Sequence, residues 1–280
     1  MSGFEKIFYD LEDRGKGALV IEIPLTLPVP ESQVHAVSLL VEGGADVIQI
    51  PVPPRMPWMY GPLILNLLSS ARNNEVDWRQ SFAAIEAIRE AYPQVELQPV
   101  GFYGGIARMG QENYVARCKE LGIRAVDVPD YPLVHDNDPR GLAKALRRED
   151  IDLVTIIGTD LAMAEEGSPS YQTLVNVVKD SSGFIFLLAV AGGRTGARSD
   201  LDYKGLELAK IRVLDLQRQL NTRCPLVAVC GISTPQQVRT IVKSLGMHVM
   251  FGSAFSEKLL YGSGDDEVID FVRQMKEAAS

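Results

Sequence analysis

Three glycine loops and one isolated acid are the parts of this chain whose residue types suggest chemistry. Cys230-Gly231-Ile232-Ser233, Gly252-Ser253-Ala254-Phe255 and Ala191-Gly192-Gly193-Arg194-Thr195-Gly196 each follow a short apolar run. Glycine lets a backbone come close to an anion, free N–H groups at a helix start attract negative charge, and Ser253 adds a hydroxyl. One such loop is ordinary turn chemistry. Three of them, after consecutive strand-like runs, point to a bound phosphate. The acid is Glu22 in Val20-Ile21-Glu22-Ile23-Pro24. A carboxyl inside an apolar strand is costly to bury unless paired or protonated, and desolvation raises its pKa toward the range a general acid/base needs. Two readings stay open: Glu22 points into a site, or it points outward to pair with a Lys or Arg from a helix.

The remaining polar residues speak less clearly. Asp130 lies in Val128-Pro129-Asp130-Tyr131-Pro132, and Asp127, just before it, is expected to face the other way or to end its strand. Asp160 is a looser candidate. His35, His135 and His248 are too scattered for a catalytic pair or metal site, and a structural or surface role is expected of each. Arg55, Arg194 and Arg198 fall on loops where they would steer an anion or simply be solvated. The three cysteines, Cys118, Cys224 and Cys230, show neither CxxC nor Cys/His spacing, so buried thiols are expected rather than disulfides or a zinc site. No lysine ends a strand-like run, which counts against Schiff-base aldolase chemistry. Walker, Gly-x-Ser-x-Gly and dinucleotide patterns are missing. No cofactor and no metal are expected.

Elements able to hold these residues alternate along the chain. Eight short apolar runs read as strands: 18–23, 46–52, 95–103, 125–128, 153–157, 184–190, 226–229 and 248–251. They lack in/out alternation, as parallel strands covered on both faces do. Between them lie amphipathic stretches at 30–42, 78–91, 112–121, 141–147, 171–180, 203–220 and 234–243, with a closing helix at 265–279. Glu42-Gly43-Gly44 and Leu121-Gly122 read as helix stops, and Ser233-Thr234-Pro235 as a helix start. Eight strands with helical crossovers in this length fit an α/β fold of the (β/α)8 TIM-barrel type, residues 1–280 forming one domain, better than an open doubly wound sheet. Residues 1–14 read as an extra N-terminal helix with Phe4, Phe8 and Leu11 on one stripe, either plugging the barrel bottom or packed outside it.

Composition narrows the class. A net charge of −8 argues against a nucleic-acid surface. No apolar run reaches membrane-spanning length and the first residues lack a signal-peptide pattern, so a cytoplasmic protein with no membrane partner is expected.

The segments GADVIQIPVP…YGPLI, YVARCKELGIRAVDVPDYP, FIFLLAVAGGRTGAR, LVAVCGISTPQQV and FGSAF occur in an order and spacing that resemble the α subunit of tryptophan synthase, which cleaves indole-3-glycerol phosphate to indole and glyceraldehyde 3-phosphate. The resemblance covers nearly the whole chain and implies a barrel of tryptophan biosynthesis. It puts the phosphate contacts on Gly196, Gly231, Gly252 and Ser253, all retained. The family's strand-two glutamate, its proton shuttle, falls on Gln49, which cannot ionise. Its indole-holding aspartate falls on Tyr60, and an aromatic hydroxyl becomes Phe186. Glu22 stands where the family has an aromatic lining the indole pocket. Asp130 is retained as an acid supporting the strand-two site, with a purely structural role as its alternative. The loop Pro53-Pro54-Arg55-Met56-Pro57-Trp58 departs from the family's, so the usual β-subunit partner is not expected from it.

Together these residues suggest a barrel binding an indole-3-glycerol-phosphate-like molecule or another phosphosugar. It would act as a carbon–carbon or carbon–oxygen lyase with Glu22 as acid/base and with Gln49 and Tyr60 orienting the substrate. Efficient cleavage of indole-3-glycerol phosphate itself is not expected. The alternative is a non-catalytic relative that binds a phosphate metabolite and regulates or scaffolds a partner.

Overall fold

A computed structural model describes residues 3–23, 30–52, 61–73, 78–134, 138, 141–190, 201–262 and 264–280. Eight parallel strands close into a barrel in the order of the chain. They are β1 (Leu19–Glu22), β2 (Val47–Pro51), β3 (Glu96–Val100), β4 (Ala125–Asp127), β5 (Asp152–Ile157), β6 (Ile185–Leu188), β7 (Leu226–Val229) and β8 (His248–Phe251). Closure comes from β1 pairing with both β2 and β8, which rules out the open sheet. Nearly every strand residue is buried, because one face meets the lumen and the other the surrounding helices.

The helices are α1 (Glu5–Glu12), α2 (Pro30–Gly43), α3 (Pro62–Asn73), α4 (Trp78–Ala91), α5 (Tyr103–Met109), α6 (Gln111–Glu120) and α7 (Tyr131–Val134). They continue with α8 (Leu142–Arg148), α9 (Thr159–Ala162), α10 (Pro169–Asp180), α11 (Tyr203–Leu220), α12 (Pro235–Leu245), α13 (Ser253–Tyr261) and α14 (Asp265–Ala278). The start of α12 is a full capping box: Thr234 accepts the Gln237 N–H while Gln237 Oε1 accepts the Thr234 N–H. Gly44 and Gly122, with φ of +90° and +64°, sit where the chain leaves α2 and α6. The strand expected over 95–103 ends at Val100, because Tyr103 already opens α5.

Side-chain direction follows from the strand register, since residues paired across a parallel ladder share a face and every second residue returns to it. Val20 pairs with Val47 and Met250, Gln49 with Gln98, Val100 with Asp127, Asp127 with Val154, and Phe186 with both Ile156 and Val227. Carried round the barrel, this puts Glu22, Gln49, Gln98 and Asp127 on the lumen face of β1 to β4. The lumen face of β5 to β8 carries Val154, Ile156, Phe186, Val227 and Met250.

The N-terminal helix closes the bottom of this lumen. Phe4 and Phe8 have no exposed surface and pack on Phe184, whose ring meets Phe186 edge-on at 4.7 Å between centroids. Phe8 also packs edge-on against His248 at the start of β8. That imidazole accepts the Ala18 N–H at Nδ1 (2.9 Å), and its Nε2 lies 3.0 Å from Glu12 Oε1 on α1. Of the two placements open to this helix, the structure has the plug, and His248 is a structural residue that latches it.

Candidate functional site

The site lies at the C-terminal ends of the strands, above the aromatic plug. Glu22 is the last residue of β1, faces the lumen and is only 7% exposed. Burial raises its carboxyl to about 8. On the β8 side its neighbour is Gly252, one residue past the last register pair, Ile21 with Phe251. A Cβ built there would lie 3.0 Å from Glu22 Cβ and 3.4 Å from Glu22 Oε1, so the glycine makes room for the acid as well as opening α13.

Gln49 is fully buried at the centre of β2. Its Nε2 donates to Gln98 Oε1 at 2.8 Å and to Asp127 Oδ2 at 3.2 Å. Asp127 does end its strand, yet it does not face away: its parity with Val100 and Val154 turns it into the lumen. Burial, and then the Glu22 carboxylate, push it well above the usual carboxylate range, against the pull of the Gln49 hydrogen bond. Neither Gln98 nor an inward Asp127 is evident from residue type. The signal was strand parity, because Gln49 and Gln98 each occupy the middle of a five-residue strand and meet across the β2–β3 ladder.

This belt is short of partners. Gln49 Oε1, Gln98 Nε2 and Asp127 Oδ1 are buried with no hydrogen bond among the described residues. Above it, at the strand ends, Ile64, Leu67 and Phe102 form a separate apolar cluster joined by Leu63, Ile156 and Leu260.

Asp130 lies outside the belt. Its Oδ1 accepts the Tyr103 N–H at 2.8 Å, tying the loop after β4 to the first residue of α5. Burial raises its carboxyl while that hydrogen bond works the other way. Asp160 is exposed at the start of α9.

The loops after β7 and β8 meet near Glu22. Cys230 and Gly231 both adopt left-handed backbone, at φ of +73° and +78°, and a Cβ at Gly231 would approach Val190 and Leu201 within 2.8 Å. For Cys230 that conformation is uncommon and costs energy. Its thiol is pushed up to about 12 by burial and by the nearby Glu22 carboxylate, so it is no nucleophile at neutral pH. At α13 the N-cap is Gly252, which offers no side-chain cap, so the N–H groups of the first turn begin without an intrahelical acceptor. Ser253 is the first helical residue. Gly196, Tyr60, Arg55, Arg194, Arg198, His135 and the loop 53–58 lie outside the described residues. Among the described residues no group of three His, Cys, Asp or Glu side chains is arranged to hold a metal, all three cysteines are free, and no helix is long and apolar enough to cross a membrane.

A closed eight-stranded parallel barrel with α-helical crossovers, a plugged bottom and glycine loops ending β7 and β8 defines a (β/α)8 protein whose candidate site is at the C-terminal mouth. The family model described as tryptophan synthase alpha chain matches residues 8–279, and the chain belongs to that family. The tryptophan synthase alpha chain of Trichormus variabilis is 28% identical over 99% of this chain and 98% of its own length. That of Methanosarcina mazei is 27% identical, covering 96% and 91% respectively. Among solved structures, tryptophan synthase from Mycobacterium tuberculosis superposes with a TM-score of 0.81 at 23% identity, over 99% of this chain and 98% of that one. The Legionella pneumophila alpha subunit gives 0.80 at 18% identity, with coverage of 100% and 98%. The curated relatives carry the name of the alpha chain of tryptophan synthase.

Proposed function

We propose that this chain binds a phosphorylated small molecule at the barrel mouth and acts on it as a lyase, with Glu22 as the proton-transferring group. The phosphate is assigned to Gly231, Gly252 and Ser253 together with Gly196. The carrying observation is the adjacency of Glu22 to Gly252. An acid raised to about 8 stands next to a helix start with open N–H groups, so one ligand can reach both. Gln49 cannot exchange a proton, but its position beside Glu22 and Asp127 suits it to orient the substrate, and Tyr60 is assigned a similar part. A carboxyl protonated near neutrality can donate a proton to a leaving carbon or oxygen and then withdraw one from a hydroxyl. Indole-3-glycerol phosphate cleavage at the family's usual rate is not proposed, because an amide holds the position of the family's shuttle. The departure of loop 53–58 gives no ground for excluding a β-type partner.

Titration with inorganic phosphate tests the binding half, with a rise in thermal midpoint expected. Incubation with phosphosugars and with indole-3-glycerol phosphate tests the chemistry. Where turnover is found, Glu22→Gln is expected to lower it by about 10²–10⁴; undiminished turnover in that variant would remove the assignment. The second reading, a non-catalytic binder that regulates or scaffolds a partner, draws on Gln49, which is fixed by two hydrogen bonds inside the belt. Phosphate binding without turnover on any phosphosugar would favour it.

A further inference from the structure

Glu22 is one of two carboxyls in the upper lumen. The other, Asp127, is the last residue of β4, faces the lumen and is 3% exposed. Its two oxygens differ. Oδ2 accepts a hydrogen bond from Gln49 Nε2 at 3.2 Å, whereas Oδ1 is buried with no partner among the described residues. Gln49 is also the register partner of Glu22, so its amide lies between the two acids, and a second hydrogen bond ties it to Gln98. Gln49 Oε1 and Gln98 Nε2 are unpaired as well. Leaving a buried polar atom without a partner costs about 1–3 kcal/mol, and three on neighbouring lumen residues point to a polar group supplied from outside the chain.

No cation offsets the two acids. The titratable groups acting on Asp127 or acted on by it are Glu22 on β1, Asp130 beyond β4 and the Tyr114 hydroxyl on α6, and Glu22 in turn faces the Cys230 thiol after β7. No lysine, arginine or histidine among the described residues shifts either carboxyl. Two anions together in so buried a space are disfavoured, and one acid keeps its proton after the other has lost it. Asp127 is the one that keeps it. It is the less exposed of the two, and the Glu22 carboxylate pushes it up more than the Gln49 hydrogen bond pulls it down, while burial alone sets Glu22 at about 8. With Oδ2 accepting from Gln49, the proton belongs on Oδ1, the oxygen that has no partner in the chain. A carboxylic acid held neutral by its surroundings is a strong hydrogen-bond donor and a ready general acid.

We propose that Asp127 is a second catalytic residue at the barrel mouth, the acid that protonates the leaving atom from Oδ1 while the Glu22 carboxylate takes a hydroxyl proton. This rests on reading the mouth as a lyase site, and it divides between two groups what Glu22 alone would have to do in turn. The substrate hydroxyl gives its proton to Glu22. The electron pair of that O–H bond forms a carbonyl as the bond from the same carbon to the leaving carbon or oxygen breaks, and the pair from the broken bond takes the proton of Asp127. Glu22 has gained one proton and Asp127 has lost one, and exchange with water restores both. The substrate class is a phosphate ester with a hydroxyl on the carbon whose bond breaks, a phosphorylated β-hydroxy ketone or hemiketal.

The test combines titration with turnover. Asp127 is followed through its side-chain carboxyl carbon in protein labelled with 13C-aspartate, with Asp127→Asn identifying the resonance. Its midpoint is expected to lie above that of Glu22 and to drop by about one pH unit or more in Glu22→Gln. A midpoint below that of Glu22, or one that Glu22→Gln leaves in place, would overturn the proposal. Turnover is measured with 2-deoxyribose 5-phosphate, fructose 1,6-bisphosphate and indole-3-glycerol phosphate. Asp127→Asn keeps the side-chain shape and an acceptor for Gln49 but has no proton to give. It should lower kcat by about 10²–10⁴, leave KM and the response to inorganic phosphate unchanged, and abolish the fall in rate on the alkaline side. A wild type inert on all three substrates removes the lyase reading and this assignment together, whereas an active wild type whose turnover survives Asp127→Asn removes this assignment alone.

Discussion

The lumen holds polar groups at two heights, and they are treated differently. At the bottom, His248 is 1% exposed, with the Ala18 N–H on one ring nitrogen and Glu12 on the other, against the ring of Phe8, which itself packs on Phe184. A few residues higher, Gln49, Gln98 and Asp127 each keep one atom unpaired, and Glu22 and Asp127 are both pushed toward their neutral forms. His248 is satisfied inside the chain, whereas three belt atoms on adjacent strands are not; elsewhere among the described residues the buried unpaired side-chain atoms are the single hydroxyls of Tyr9, Tyr114, Thr222 and Ser256. Local rules broken in one place and obeyed in another of the same core mark the first as the place where function is kept.

If that division is real, substitutions at the two heights should fail in different ways. The largest effect is expected at the plug. Phe8→Ala removes a ring with no exposed surface from the Phe4, Phe184 and His248 contacts, and should cost about 3–5 kcal/mol in denaturant unfolding. A cost below about 1 kcal/mol would mean that α1 does not close the barrel in solution.

Glu22→Gln should go the other way. With its folded value near 8 against an ordinary 4.5, the folded chain keeps a proton that the unfolded chain releases. The stability associated with the protonated acid is therefore fully present below about pH 4.5 and is lost as pH rises toward 8. The glutamine variant escapes this loss and should be more stable by up to about 3 kcal/mol at pH 7, with no gain near pH 4. Unfolding curves at several pH values check both size and sign.

His248→Ala should cost about 2 kcal/mol, since it orphans the buried Ala18 N–H and unlatches α1. Smallest is the double variant Gln49→Leu with Gln98→Met. It removes the two unpaired glutamine atoms but also the Gln49 donor to Asp127 Oδ2, so relief and loss oppose each other and stability should change by less than about 1 kcal/mol. A loss as large as that of Phe8→Ala would place the belt with the plug, as structure rather than site.

Much of the scaffold was legible from residue types alone. The strands at 226–229 and 248–251 match β7 and β8 end to end, because short apolar runs set between Pro225 and Gly231 and between Gly246 and Gly252 leave little choice. The capped start of α12 was equally plain in Thr234-Pro235. Helices α7 and α9 have four residues each, too few to show a period. Helix α3 was hidden by the proline loop leading into Pro62, although proline in its first turn was the available signal.

The site was legible only by half. Glu22 declared itself as an acid in an apolar strand, and the glycine loops by their place after strands. Gln98 could not, since a neutral amide in Glu-Leu-Gln-Pro-Val has no meaning until β2 and β3 are in register. Asp127 was readable as a strand end, which it is, but its inward face was not: a three-residue strand gives no alternation from which to read parity, and only pairing with Val100 and Val154 fixes it.

The central claim is that Glu22 sits in the lumen as a proton-holding acid beside the glycine loops. It is tested most directly by titrating its side-chain carboxyl carbon by NMR in protein labelled with 13C-glutamate, with Glu22→Gln identifying the resonance. The account predicts a midpoint near 8. A midpoint near the ordinary 4.5 would contradict it.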